Sequence, residues 1–152
     1  WLATTHFEPI GARRAFPCFD EPALKATFEL SIEHPKEFRA ISNVPEMAMT
    51  PIDLKTMLTI FHKSPKMSTY LVAFVVSDFK DLTNANGDFK IWARPNAIRH
   101  GEFALEHGQK ALAELGKFTG VEYSKHGFQK MDNIAIPQFA AGAMENWGLV
   151  TY

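Results

Sequence analysis

The side chains able to do chemistry are few and scattered. The six histidines are His6, His34, His62, His100, His107 and His126. None precedes a Glu in the pattern H-E-x-x-H, and the inverse pattern H-x-x-E-H is also absent. His100 and His107 lie two turns apart on one predicted helix face, about 10 Å along its axis, too far to share a metal ion easily. They read as surface helix residues. Cys18 is the only cysteine, which excludes an intrachain disulfide and a four-Cys zinc knuckle. Its setting, Phe16-Pro-Cys-Phe19, suits an inert packed thiol better than a nucleophile paired with a base. No Gly-rich loop followed by Lys-Ser/Thr is present to cradle a phosphate. Taken alone, the residues hold no complete catalytic constellation.

Two segments stand out. In Ala12-Arg-Arg-Ala-Phe-Pro-Cys-Phe-Asp-Glu-Pro22, Arg13 and Arg14 can pair with Asp20 and Glu21 inside one turn-rich stretch. This reads as a fold-locking loop that buries Phe16 and Phe19. The second segment is Ala140-Ala-Gly-Ala-Met-Glu-Asn-Trp-Gly148. Its small residues let another backbone approach closely, beside the carboxylate of Glu145. Such a carboxylate can hold an ammonium group through charge-assisted hydrogen bonds. A solvated loop acid is the competing reading, and the one physics alone favours.

The elements that must position these segments begin as strands. Thr27–Glu33 alternates apolar Phe28, Leu30 and Ile32 with polar neighbours, the period of a half-buried strand. Phe38–Ser42 and Thr56–Phe61 are two more, punctuated by Pro45, Pro51 and Asp53. Thr69–Ser77 is apolar on both faces and β-branched, which predicts a central strand. Asn84–Asp88 is turn chemistry, followed by a strand over Phe89–Ala93. The spacing predicts a helix over Ile98–Phe118, with Ala104, Ala111, Leu112, Leu115 and Phe118 near one face and stop signals at Gly116 and Gly120. Gly101 and Gly108 weaken it, each by about 1 kcal/mol relative to Ala. Strands over Asn133–Ile136 and Leu149–Tyr152 flank the small-residue loop.

The 152 residues suit one domain or two incomplete ones. With 46% apolar residues, 13 Phe and a net charge of −1, the chain is neither a disordered tail nor a nucleic-acid module built on a basic surface. The apolar run Tyr70–Val76 is too short to cross a bilayer, so no membrane segment is expected in these residues. A start at Trp1 and an apolar finish at Tyr152 read as cuts through something longer.

Phe16-Pro-Cys-Phe-Asp-Glu-Pro22 and Gly142-Ala-Met-Glu-Asn146 resemble two signatures of the zinc aminopeptidase family of the aminopeptidase N type. Thr5-His-Phe-Glu-Pro, Met67–Phe79 and Ile134–Tyr152 extend the resemblance over nearly the whole chain. It implies a fold of mainly β character, the later part of an N-terminal saddle domain over residues 1–85. The α+β start of a thermolysin-like catalytic domain would follow over 86–152, both domains being incomplete. It also implies a Zn2+ cofactor whose ligands lie beyond Tyr152, and peptide substrates with a free N-terminus. Residue by residue, Glu145 resembles the acid that binds the substrate's α-amino group, and Glu8 resembles a second residue at that group. Gly142 and Ala143 resemble the main-chain edge that pairs with an extended substrate, and Met144 the cushion of the first side-chain pocket. No catalytic or metal-ligating residue is expected within this stretch, and the isolated stretch is expected to be inactive. Two departures from the family pattern are His6, where many members have Gln, and Tyr123–Asp132, longer than the family's Pro-rich stretch. A plasma-membrane or extracellular parent is the expectation from family analogy, with cytosolic and ER-lumen members as alternatives. The competing reading is a catalytically silent truncated relative that binds peptides or proteins.

Overall fold

The computed structural model describes residues 1–152. Ten strands form three small sheets, with one α-helix in the second half. The first sheet places β6 (Phe74–Ser77) between β1 (Leu2–Thr4) and β3 (Arg39–Ser42), all antiparallel. The second places β5 (Thr56–Phe61) between β2 (Ser31–Pro35) and β4 (Glu46–Pro51), also antiparallel. The third runs β10 (Leu149–Thr151), β9 (Met131–Ile134), β8 (Phe89–Ala93), β7 (Lys80–Thr83). In it β7 and β8 make an antiparallel hairpin, while β8, β9 and β10 run parallel. Helix α1 (Glu102–Thr119) is the crossover between parallel β8 and β9. The protein is thus mostly β with one long helix towards its C-terminal end, as expected.

Strand β6 is central because both of its faces are apolar. Val76 joins one core cluster with Phe7, Val44, Phe61, Leu71, Phe128 and others. Val75, the next residue back, joins a second cluster with Ile41, Trp92, Ile134 and Leu149. Period-two alternation therefore inserts this strand between two cores. The second cluster lies between the first and third sheets, so the two halves share one interior.

Several expected elements move. The strand predicted from Thr27 pairs regularly only from Ser31, although Phe28 and Leu30 still accept backbone bonds from Ser64 and Phe61. Of Thr69–Ser77 only β6 is a strand. Thr69–Leu71 coils into a 3-10 turn, in which Thr69 donates to the Asp20 carboxylate at 2.6 Å. Strand β4 was not expected, since Pro45 and Pro51 read as breaks; Pro51 ends an edge strand, where a missing N–H costs little. The helix predicted from Ile98 begins with a 3-10 turn over Ile98–Gly101, and Gly120 closes it at φ +71°. The Asn84–Asp88 segment is a hairpin turn, whose Asn84 side chain accepts from the N–H groups of Asp88 and Phe89. A boundary at residue 85 would cut this hairpin, whose two strands share one sheet.

Phe16 packs at the edge of the first core against Phe7 and Phe28. The expectation that Phe19 is buried is corrected: the residue is 81% exposed. What locks this loop is Asp20, which is 4% exposed. It accepts from the backbone N–H and Nε of Arg13 at 3.1 and 3.3 Å. The Thr69 hydroxyl and, secondarily, Arg13 hold its carboxyl below the ordinary carboxylate range. Arg14 and Glu21 stay exposed and form no ion pair.

Candidate functional site: a pinned hairpin with a free edge

The small-residue loop ends in a tight hairpin. Met144 and Thr151 exchange both backbone hydrogen bonds, at 2.8 and 3.0 Å, and Leu149 N–H closes the turn on Asn146 C=O at 3.1 Å. Residues Asn146-Trp-Gly-Leu149 form the turn, with Gly148 at φ +77°, a conformation that glycine adopts without steric cost. Side chains alternate along the arm before it. Met144 and Asn146 are each 1% exposed, whereas Glu145 between them faces solvent.

The same geometry fixes the backbone. Because Met144 spends its N–H and C=O on Thr151, those of Ala143 and Glu145 point the other way. Neither residue has a backbone partner. A short free strand edge therefore lies beside the Glu145 carboxylate. Gly142, also at φ +77°, has open space where a Cβ would stand.

Glu8 is exposed on a turn at the other end of the chain. The structure relates it to Glu145 through the residues before each: Phe7 and Met144 belong to one core cluster. His6 stands edge-on to Phe139 of the small-residue loop, ring centroids 5.3 Å apart. Both carboxylates thus project from segments anchored in one apolar core.

Two residues without an expected role, Asn43 and Lys130, hold the turn of the hairpin. The Asn43 side-chain amide donates to Trp147 C=O at 2.7 Å and to Leu71 C=O at 2.8 Å, and its oxygen accepts from Ala73 N–H at 2.8 Å. The Lys130 ammonium donates to Gly148 C=O at 2.8 Å and Ser42 C=O at 2.6 Å, and pairs with Asp132 at 2.7 Å. Burial pulls the lysine below its ordinary pKa, opposed by the Asp132 charge. Tyr123 donates to Lys130 C=O at 3.3 Å; burial, with the nearby Asp132 charge adding to it, pushes its phenol up to about 12, so it stays a neutral donor. Sequence patterning misses Lys130 because a lysine before a short strand reads as solvated. The one legible signal was its spacing to Asp132, two residues on.

No group of three His, Cys, Asp or Glu side chains is arranged to hold a metal ion. The donor set of these residues therefore does not fit a zinc centre. His100 and His107 lie on the outer surface of the 3-10 turn and α1. No helix is long and apolar enough to cross a membrane.

The Peptidase M1 N-terminal domain model matches residues 1–71, and the Peptidase family M1 domain model matches residues 103–152. Over 99% of the chain the protein is 47% identical to aminopeptidase N of Homo sapiens. It is 45% identical to mitochondrial aminopeptidase 2 of Saccharomyces cerevisiae over 100% of the chain, and 43% identical to membrane alanyl aminopeptidase of Manduca sexta, again over 100%. In each case the chain spans 16% of the relative's length. The N-terminal match covers β1 to β5, the second match covers the pinned hairpin, and the chain belongs to the peptidase M1 family.

Proposed function

We propose that these residues are part of a zinc-dependent aminopeptidase and that Glu145 anchors the free α-amino group of a peptide substrate. The carrying observation is an outward carboxylate beside an unpaired backbone edge, on a hairpin whose other face is fixed in the core. An extended peptide adds to such an edge through main-chain hydrogen bonds. Its terminal ammonium then meets Glu145, with Glu8 as the second anionic partner. Two carboxylates around one ammonium balance its charge where water is displaced. Such an anchor admits a chain end and rejects a chain interior, which makes the enzyme an exopeptidase.

Gly142 and Ala143 supply the close-approach edge, helped by the open space at Gly142. Met144 packs in the core and so backs the first side-chain pocket from behind. The chemistry that a zinc ion would supply, polarisation of the scissile carbonyl and activation of water, would depend on ligands outside these 152 residues. The third sheet starts at Lys80, so we place the junction of the two domains between Phe79 and Lys80. A plasma-membrane or extracellular place for the whole protein belongs to the same proposal. It is supported by the similarity to membrane alanyl aminopeptidase and opposed by the mitochondrial relative. Fractionation of tagged full-length protein decides between them.

The test is Glu145→Gln in the full-length protein, which keeps shape and removes charge. Loss of one charge-assisted bond raises the barrier by about 1.5–3 kcal/mol, roughly ten- to a hundredfold in kcat/KM. Preference for a free-amine substrate over its N-acetylated form collapses while zinc content stays constant. Glu8→Ala acts in the same direction and more weakly. Undiminished preference in the Glu145 variant removes the anchor, and a full-length protein without peptidase activity leaves the peptide-binding alternative standing.

A further inference from the structure

Lys130 is the least expected side chain in the interior. An ammonium has three N–H donors, and each meets an acceptor: Ser42 C=O, Gly148 C=O and the Asp132 carboxylate. A buried ion pair is a weak source of stability, because apolar residues of similar volume often serve as well. Stability alone is therefore a poor reason for a lysine here. An apolar side chain could not bind two carbonyls at fixed positions, one on β3 in the first half and one in the hairpin turn. Asn43 ties Trp147 C=O to Leu71 and Ala73 in the same way. Gly148 sits so close that a Cβ there would lie 1.8 Å from Asn43 C=O. Three separate contacts thus register the Asn146–Leu149 turn against the first sheet. Glu145 immediately precedes this turn. Glu8 follows Phe7, which belongs to the first half.

We propose that Lys130, held by Asp132 and assisted by Asn43, is a positioning residue. It fixes the half of the molecule that carries Glu145 against the half that carries Glu8. The two carboxylates then converge on one ammonium. Lys130 touches no substrate and acts only through Gly148 and the turn. This rests on the reading of Glu145 as the amine anchor.

The experiment uses full-length zinc-loaded enzyme and two competitive probes, leucine amide and isocaproamide, which lacks only the amine. Lys130→Met keeps length and removes the donors; Asp132→Asn keeps shape and weakens the hold. The ratio of the two inhibition constants is expected to fall at least tenfold in Lys130→Met and about threefold in Asp132→Asn, with isocaproamide binding and zinc content unchanged. In a Glu145→Gln background the Lys130 substitution adds nothing, since the anchor it positions is already gone. An unchanged ratio in the soluble variants, whatever their melting temperature, overturns the proposal and leaves a merely structural role. If Lys130→Met does not accumulate, the ratio in Asp132→Asn decides. A Lys130 effect that persists in the Glu145→Gln background overturns it equally. If Glu145→Gln alone leaves the ratio intact, it is the amine-anchor reading that fails.

Discussion

Helix α1 and the Met144–Thr151 hairpin lie close in sequence and are determined in opposite ways. The hairpin turns Met144, Asn146, Leu149 and Thr151 inward, none more than 1% exposed, and its turn is held by Asn43 and Lys130. Its conformation is over-determined by contacts within these residues. The helix is amphipathic, yet none of its residues is buried: Phe103 is 72%, Leu115 57% and Phe118 89% exposed. Beside it runs a groove of about 620 Å3 whose lining includes Leu112, Leu115, Val121, Tyr123, Phe128 and Trp147. Local pattern suffices to make a helix, whereas the hairpin with its free edge needs long-range pins.

Two glycines on the hairpin side give the sharpest way to break this contrast, since both have φ +77°. At Gly148 an added Cβ collides with the Asn43 backbone, which cannot retreat without moving the first sheet. At Gly142 nothing lies within 4 Å. Gly148→Ala is expected to cost about 3 kcal/mol or more, and Gly142→Ala only about 1–2 kcal/mol from the left-handed backbone. Soluble yield and apparent Tm of the full-length protein check the pair. Equal losses would mean that the turn is not pinned as described.

The split between local and long-range determination also explains what the sequence revealed. The breaks at Pro51 and Asp53 located β5, a β-branched run apolar on both faces located β6, and the 3.6-residue period located α1 within a few residues of its ends. The exposed carboxylate of Glu145 and the small residues before it were legible as types. That Ala143 and Glu145 keep free backbone groups was not, because it depends on which side Met144 pairs with Thr151. Thr69–Leu71 reads as strand, but it is a turn whose Thr69 hydroxyl bonds Asp20, far away in sequence. Lys130 showed only its spacing to Asp132 for the same reason: its two carbonyl acceptors come from Ser42 and Gly148.

On the helix side, glycines separate by contact in the same manner, with smaller effects. A Cβ at Gly108 would lie 2.8 Å from the Phe89 ring, which explains a glycine in mid-helix. A Cβ at Gly116 meets only ordinary contact, Val121 C=O at 3.5 Å. Gly116→Ala is therefore expected to stabilise by about 0.5–1 kcal/mol, and Gly108→Ala to lose that gain to the ring. Thermal unfolding followed by circular dichroism at helical wavelengths reads the difference.

The smallest effect on stability falls where the helix is most apolar. Leu115 and Phe118 are exposed, so Leu115→Lys with Phe118→Lys removes no buried contact and changes folding stability by less than about 0.5 kcal/mol. The effect on association is the opposite. An exposed apolar surface is expected to drive self-association of the 152-residue chain, and two cations on it to oppose that through desolvation and like-charge repulsion. Sedimentation of the parent and doubly substituted chains at matched concentration is expected to show a shift towards monomer. The helix signal should stay constant, because the intrahelical pairs Lys110–Glu106 and Lys117–Glu114 are untouched. A chain that is already monomeric before substitution would show that this face needs no cover. Loss of helix on substitution would show that the face is held by contacts within these residues, and the contrast with the hairpin would fall.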